Sequence, residues 1–252
     1  NMIASLPMFT STLDPVLLHL GPIQIRYYGL VYAFGFLLAM YMFRRWSKEL
    51  KITMDQADDL AFWLAFGAVI GGRLFEVFVW EPAYYLSNPL KIIAFWEGGM
   101  AFHGGLIGVC LALFLYCKKH NINILKLADL TAPWACLVLG LGRLANFANG
   151  EIVGKITNVS WCVNFPSIEG CRHPYQVYSA LKRFAVGAIA FNLPKHKDGY
   201  IFWSTVLMLN AGRFVLDFLR DDQSNMWGPL STGQWVSLIL VAMSAYYTYK
   251  SK

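Results

Sequence analysis

The sequence predicts an all-α integral membrane protein of about seven transmembrane helices, with its N-terminus outside and its C-terminus in the cytoplasm. Three observations predict it. First, the 252 residues are 57% hydrophobic with a mean hydropathy of +0.45, and only 14% are charged. Soluble domains carry roughly a quarter charged residues, and a soluble core could not hide this much apolar surface. Second, seven windows approach the roughly 20 apolar residues that cross a bilayer as a helix. Third, the Lys and Arg outside those windows are unevenly shared between alternate loops, and short cytoplasmic loops hold the excess.

The windows run 27–43, 57–79, 102–117, 131–148, 175–193, 200–219 and 233–249. Between and after them, one set of loops holds Arg44, Arg45, Lys48, Lys51, Lys118, Lys119, Lys126, Lys195, Lys197, Lys250 and Lys252. The alternate set holds only Arg26, Lys91, Lys155, Arg172 and Arg220. This bias puts the C-terminus inside, and it accounts for most of the net charge of +6 without a nucleic-acid partner. The inner loops also favour anionic membrane lipids. The opening "NMIASLPMFTSTLDP" lacks the basic flank and apolar core of a cleavable signal peptide, so the first span is expected to be its own anchor. With no internal repeat or low-complexity tract, 1–252 reads as a single integral domain. Its longest hydrophilic interruption is a short outer loop at about 149–174. Helices follow because lipid offers the backbone no hydrogen bonds.

Cys110, Cys117 and Cys136 lie in or at the ends of apolar spans and read as packing residues, so neither a metal nor any cofactor is called for. Cys162 and Cys171 share the outer loop, on the side expected to be oxidising, and are expected to pair.

Charged groups inside spans are expensive and usually face a cavity or a partner. Here they gather at one depth. Arg73 and Glu76 come late in the second span, Glu97 and His103 stand around the start of the third, and Arg143, Asn146, Asn149 and Glu151 close the fourth in "GLGRLANFANGE". In the sixth, "GRFVLDFLRDD" sets Arg213, Asp217 and Arg220 at i, i+4 and i+7, one helical stripe of alternating sign. Ion pairs that glue helices explain any one of these, but not these arginines, a histidine and two asparagines together at one leaflet. A guanidinium at headgroup depth matches a phosphate bidentately, and an imidazole adds a proton acceptor that works near neutrality. Glycine pairs in "EGGMAFHGGLIG", Gly104 among them, let a headgroup approach the backbone, and Tyr84, Tyr85 and Trp96 suit an interfacial belt. The pattern points to phospholipid chemistry. A transporter or channel for an anionic solute or lipid is the alternative, weakened by the lack of repeated halves. No serine elbow marks a lipase or serine protease.

The stretch "GRLANFANGEIVG" at 142–154 resembles the signature of the prolipoprotein diacylglyceryl transferases, Gly-Arg-x-Gly/Ala-Asn-Phe-x-Asn-x-Glu-x-x-Gly. "DPV" at 14–16, "YYG" at 27–29, "GGR" at 71–73, "FHGGLIG" at 102–108, "DLTAP" at 129–133, "RHPYQVY" at 172–178 and "GRFVLDFLR" at 212–220 support it in order along the chain. The resemblance implies an enzyme of the bacterial inner membrane, working toward the periplasmic leaflet. It would move the diacylglyceryl group of phosphatidylglycerol onto the lipobox cysteine of a preprolipoprotein signal peptide, forming a thioether and releasing glycerol phosphate. It also implies functional roles for Tyr28, His103, Arg143, Asn146, Glu151, Gly154, Arg213 and Asp217, the last standing where glutamate is usual. In this reading His103, Arg143 and Arg213 are catalytic, and Tyr28, Arg73, Gly104, Asn146, Asn149, Glu151, Gly154, Asp217 and Arg220 bind substrate. The chain departs from the pattern at Ala148, at Ser179 where glutamate is common, and at Lys182 and Arg183, two cations in mid-span.

Overall fold

The computed structural model describes residues 9–11, 13–14, 16–20, 23–94, 98–166, 168–221 and 226–252. Pro15, Trp96 and Glu97 lie outside the described residues. Each apolar window falls on a long helix: α1 (Tyr27–Leu50), α2 (Met54–Phe75), α4 (Phe102–His120), α5 (Ile124–Ala148), α6 (Tyr175–Phe191), α7 (Tyr200–Leu216) and α8 (Thr232–Ser251). A short α3 (Pro82–Ser87) lies between α2 and α4. Among the described residues, four stretches are long and apolar enough to cross a membrane: Met54–Trp80, Phe102–His120, Ile124–Ala148 and Tyr200–Leu219. The chain is a mostly helical membrane protein.

Hydropathy misjudged several helix ends because polar residues continue a helix that apolar windows stop at. Helix α5 starts at Ile124 rather than 131, since the Asn123 Oδ1 accepts the amides of Leu125 (3.0 Å) and Lys126 (3.2 Å) and satisfies its first turn. Helix α2 opens on a reciprocal cap: Thr53 accepts the Gln56 amide at 3.1 Å, and the Gln56 side chain accepts the Thr53 amide at 2.9 Å. Ser231 and Gln234 repeat the device at α8 (3.2 and 2.9 Å). The start of α7 borrows its cap from α5, where both Asp129 oxygens accept amides, of Gly199 and Phe202, at 2.7 Å.

The all-helical expectation also missed small strands. β2 (Val16–Leu20) and β3 (Ile23–Arg26) pair antiparallel just before α1. The outer loop is folded: β4 (Val163–Phe165) pairs antiparallel with β5 (Ile168–Arg172), and β1 (Phe9–Thr10) pairs parallel with β4. A Cys162–Cys171 disulfide, with Cα atoms 5.5 Å apart, staples that hairpin over a core of Val153, Val163 and Phe165. β6 (Met226–Trp227) and β7 (Leu230–Ser231) form a last small hairpin before α8.

The backbone divides into two compact units, 1–34 with 128–252, and 35–127. In the second, Gly67 and Gly71 of α2 meet Gly104 and Gly108 of α4. A Cβ on any of the four would run into the facing backbone carbonyl. Two Gly-x-x-x-Gly faces thus let these helices pack at backbone distance, as membrane helices do.

Candidate functional site

The polar groups of the first unit are assembled by the way α5 ends. Gly150 takes a left-handed φ of 67°, its amide reaching the Phe147 oxygen at 3.1 Å while the Glu151 amide reaches the Asn146 oxygen at 2.9 Å. This pair of bonds is a Schellman closure, and it folds Glu151 back over the last turn that carries Asn146. The side chains then interlock. Glu151 Oε2 accepts Asn146 Nδ2 at 3.0 Å and the Tyr28 hydroxyl at 3.1 Å, and Oε1 accepts Asn149 Nδ2 at 3.1 Å. Asn146 Nδ2 also donates to the Tyr28 oxygen, and Asn146 Oδ1 accepts Arg143 Nη1 at 3.3 Å. Asn146 is only 6% exposed. It is the hub: one amide joins a cation, a phenol and a carboxylate.

Arg143 lies within electrostatic reach of Arg213, Arg220, Tyr175 and Tyr28. On α7, Arg213 Nε donates to Asp217 Oδ2 at 3.3 Å, and the other Asp217 oxygen accepts the Tyr175 hydroxyl at 2.5 Å. Asp217 therefore orients Arg213 with both its oxygens occupied. The expected Arg213–Asp217–Arg220 stripe fails at its last member. Helix α7 ends at Leu216, one 3-10 turn covers Asp217–Leu219, and Arg220 is extended and bridges Gly154 through its backbone. The structural reason is that the chain must turn there to pair with the segment after α5. Gly154 is tight: its amide meets the His173 oxygen at 3.2 Å, its own oxygen accepts Arg172 Nη1 at 3.2 Å, and a Cβ would strike the His173 backbone. Arg172 in turn pairs with Asp221 at 2.6 Å. Burial holds His173, whose ring stands 3.3 Å from the Tyr178 hydroxyl, below the ordinary imidazole range.

Beside this cluster, Tyr27, Leu30, Val31, Leu141, Leu144 and Phe147 line an apolar groove of about 430 Å³. It follows the turns of α1 and α5 that present Tyr28, Arg143 and Asn146.

Arg73, His103 and Gly104 belong to the second unit. Arg73 is 3% exposed and fully engaged with main chain: Nε donates to Ile92 O (2.9 Å), Nη1 to Gly98 O (2.5 Å) and Gly99 O (2.8 Å), and Nη2 to Ala94 O (3.2 Å) and Lys91 O, with the guanidinium 5.0 Å from the Tyr85 ring centre. His103, second residue of α4, is exposed, with its ring 5.9 to 6.4 Å from those of Phe102, Phe75 and Trp80. Gly104 is buried against Gly71.

Two members of the site went unnamed from sequence. Gln176 is fully buried and donates Nε2 to the Glu151 main-chain oxygen at 2.6 Å, and Tyr175 holds Asp217. Both stand in "RHPYQVY", and an amide beside a phenol at the head of an apolar span was the available signal.

The profile of the prolipoprotein diacylglyceryl transferase family matches residues 15–250. Three proteins named phosphatidylglycerol–prolipoprotein diacylglyceryl transferase are similar along their length. That of Geobacter sulfurreducens is 41% identical over 234 residues, covering 89% of this chain and 90% of its own. The Bordetella avium protein is 39% identical, covering 89% of each, and the Dechloromonas aromatica protein 34%, covering 95% of this chain and 97% of its own.

Proposed function

The chain belongs to the prolipoprotein diacylglyceryl transferase family, and from that premise we propose how its residues perform the transfer from phosphatidylglycerol to a prolipoprotein. The acceptor is the lipobox cysteine of a preprolipoprotein signal peptide. Its sulfur attacks the glyceryl carbon that carries the phosphate, a C–S bond forms, and the C–O bond breaks with its electron pair leaving on the phosphate oxygen. The products are a thioether and glycerol phosphate, and the thiol proton passes to a base.

The observation that carries this reading is the pairing of a cationic, hydrogen-bonded cluster with an apolar groove on the same turns of α1 and α5. An amphipathic anion with a phosphate and acyl chains fits both. Arg143 holds the phosphate as a bidentate fork, Asn146, Asn149, Glu151 and Tyr28 fix Arg143, and Arg213, steadied by Asp217, clamps from α7. Arg220 and Gly154 set the floor through their paired backbones. Preorganised donors of this kind act most strongly in a water-poor site. His103 takes the thiol proton, since the thiolate is the attacking species, and Gly104 beside it lets α4 close on Gly71 of α2. Arg73, with its guanidinium spent on five carbonyls, holds the main chain at Lys91, Ile92, Ala94, Gly98 and Gly99 rather than gripping lipid.

We read the chain as one transferase domain over 1–252 with seven spans in the bacterial inner membrane. Its N-terminus and site face the periplasmic leaflet, its C-terminus the cytoplasm, and it needs no nucleic acid. A reporter active only in cytoplasm, fused after Lys252, is expected to be active; silence there, with activity when fused within 156–170, inverts the orientation. Purified protein given phosphatidylglycerol and a lipobox peptide is expected to add one diacylglyceryl group to the peptide, and a peptide with serine for cysteine is expected to gain none. No mass gain on the cysteine peptide would overturn the reading.

A further inference from the structure

Helix α6 carries Lys182 and Arg183 midway along an apolar length, a costly position, and the roles assigned so far use neither. Lys182 lies across α7. Its alkyl chain fills the space that a side chain at Gly212 would occupy, and its ammonium donates to the Leu209 main-chain oxygen at 2.9 Å, one turn before Arg213. Arg183 Nη1 donates to the Ser179 main-chain oxygen at 2.9 Å and to the Ser179 hydroxyl, on its own helix. Both cations act on Arg143 and Arg213, and Lys182 also on Asp217. Among the described residues, five basic side chains (Arg143, Lys182, Arg183, Arg213 and Arg220) therefore share this region with the carboxyl groups of Asp217 and Glu151. One lipid phosphodiester, with one negative charge, leaves positive charge over.

The reaction supplies the missing charge. When the C–O pair departs with the phosphate, a diester bearing one negative charge becomes a monoester. With a second ionisation near pH 6, that monoester is mostly a dianion at neutrality. Cations placed where charge increases favour the transition state over the bound lipid, and such differential binding raises kcat rather than lowering KM. The side chains are anchored for this task, one on the helix that presents Arg213 and the other on its own turn.

We propose that Lys182 and Arg183 are positioning residues for the leaving group, a fixed reserve of positive charge behind Arg143 and Arg213 that favours the phosphomonoester dianion over the lipid phosphodiester. The proposal rests on the diacylglyceryl transfer reading above and deepens it.

The test combines turnover with product inhibition on the full chain in detergent. Lys182→Met and Arg183→Gln are each expected to lower kcat roughly tenfold with KM for phosphatidylglycerol within about twofold, whereas Lys182→Arg keeps most of the rate. Glycerol phosphate is expected to inhibit the parent protein more strongly at pH 7.5, where it is nearly all dianion, than at pH 5, where it is mostly monoanion, by up to about tenfold, and Lys182→Met to shrink that ratio. Parental kcat in both neutral variants, or equal losses in kcat and 1/KM, would overturn the proposal. Should the variants fail to fold, the parent alone decides, because inhibition independent of phosphate ionisation overturns it too. A parent that makes no thioether sinks the transfer reading instead, while its preference between the two phosphate forms is still measured by direct binding.

Discussion

Replacing Asn146 with aspartate exchanges the side-chain NH2 for an oxygen, at constant shape, in the hub of the site. The new carboxylate stands where Nδ2 met Glu151 Oε2 at 3.0 Å, and it faces Arg143 Nη1 at 3.3 Å. At an effective dielectric of about 20, these separations give roughly 5.5 kcal/mol of repulsion and roughly 5 kcal/mol of attraction. The charge terms nearly cancel. What survives is the loss of the donor to the Glu151 carboxyl group, about 1.5–3 kcal/mol, so Tm should fall by only about 3–12 °C. Function suffers differently, because Arg143 is now neutralised by a carboxylate at its side and has less to offer a phosphate. Loss of one charge-assisted contact of the same size lowers kcat/KM roughly 10- to 150-fold. The assay is thioether formation at subsaturating phosphatidylglycerol, read by mass spectrometry, with a thermal melt on the same preparation. A folded Asn146→Asp protein within threefold of the parent would show that Arg143 does not work through Asn146.

Arg143→Lys keeps the charge and loses the planar fork, so kcat/KM is expected to drop by roughly tenfold or more, with Arg143→Ala worse; parental turnover at saturating lipid would move the phosphate elsewhere. Replacing both Cys162 and Cys171 with serine opens a bridge between residues nine apart, which the chain-entropy relation values at about 2.6 kcal/mol. A lower Tm with specific activity retained is expected, and lost activity in a protein that still melts cooperatively would contradict it. With His103 as the thiol's base, kcat/KM should carry an ascending limb with pH that His103→Gln removes along with most of the rate; an unchanged profile would make His103 structural. Because burial lowers His173 below its unfolded value, the unfolded chain takes up that proton first. Stability should therefore decline as pH falls through about 6.5, and His173→Gln should flatten that part of a Tm-against-pH curve.

Much of the fold was legible because lipid forces helices to be long and apolar, and each of the seven windows fell on one helix. What hydropathy could not register was polar helix. The first turns of α5 read as loop, although Asn123 caps them and Asp129 reaches over to cap α7. The strand-rich outer segment escaped for a related reason. β4 has three residues, too few to show a period of two, and its order comes from a disulfide and from Phe147 of α5 packing beneath it. In the site, Arg143 and Asn146, three residues apart on one helix, are neighbours by spacing alone. Glu151 joined them only through the left-handed Gly150, and Arg220 left its expected stripe because α7 ends before it. Lys182 was unexplained from sequence because its partner, a main-chain oxygen at Leu209, carries no residue signature.

The end of α5 is proposed to hold the donor's phosphate. An experimental structure of the protein with phosphatidylglycerol bound tests it most directly. The phosphate is expected within about 3 Å of the Arg143 guanidinium nitrogens, with the acyl chains along the groove beside Leu144 and Phe147. A phosphate resting away from Arg143, with the Arg143–Asn146–Glu151 chain of hydrogen bonds turned from the lipid, would remove Arg143 from donor binding.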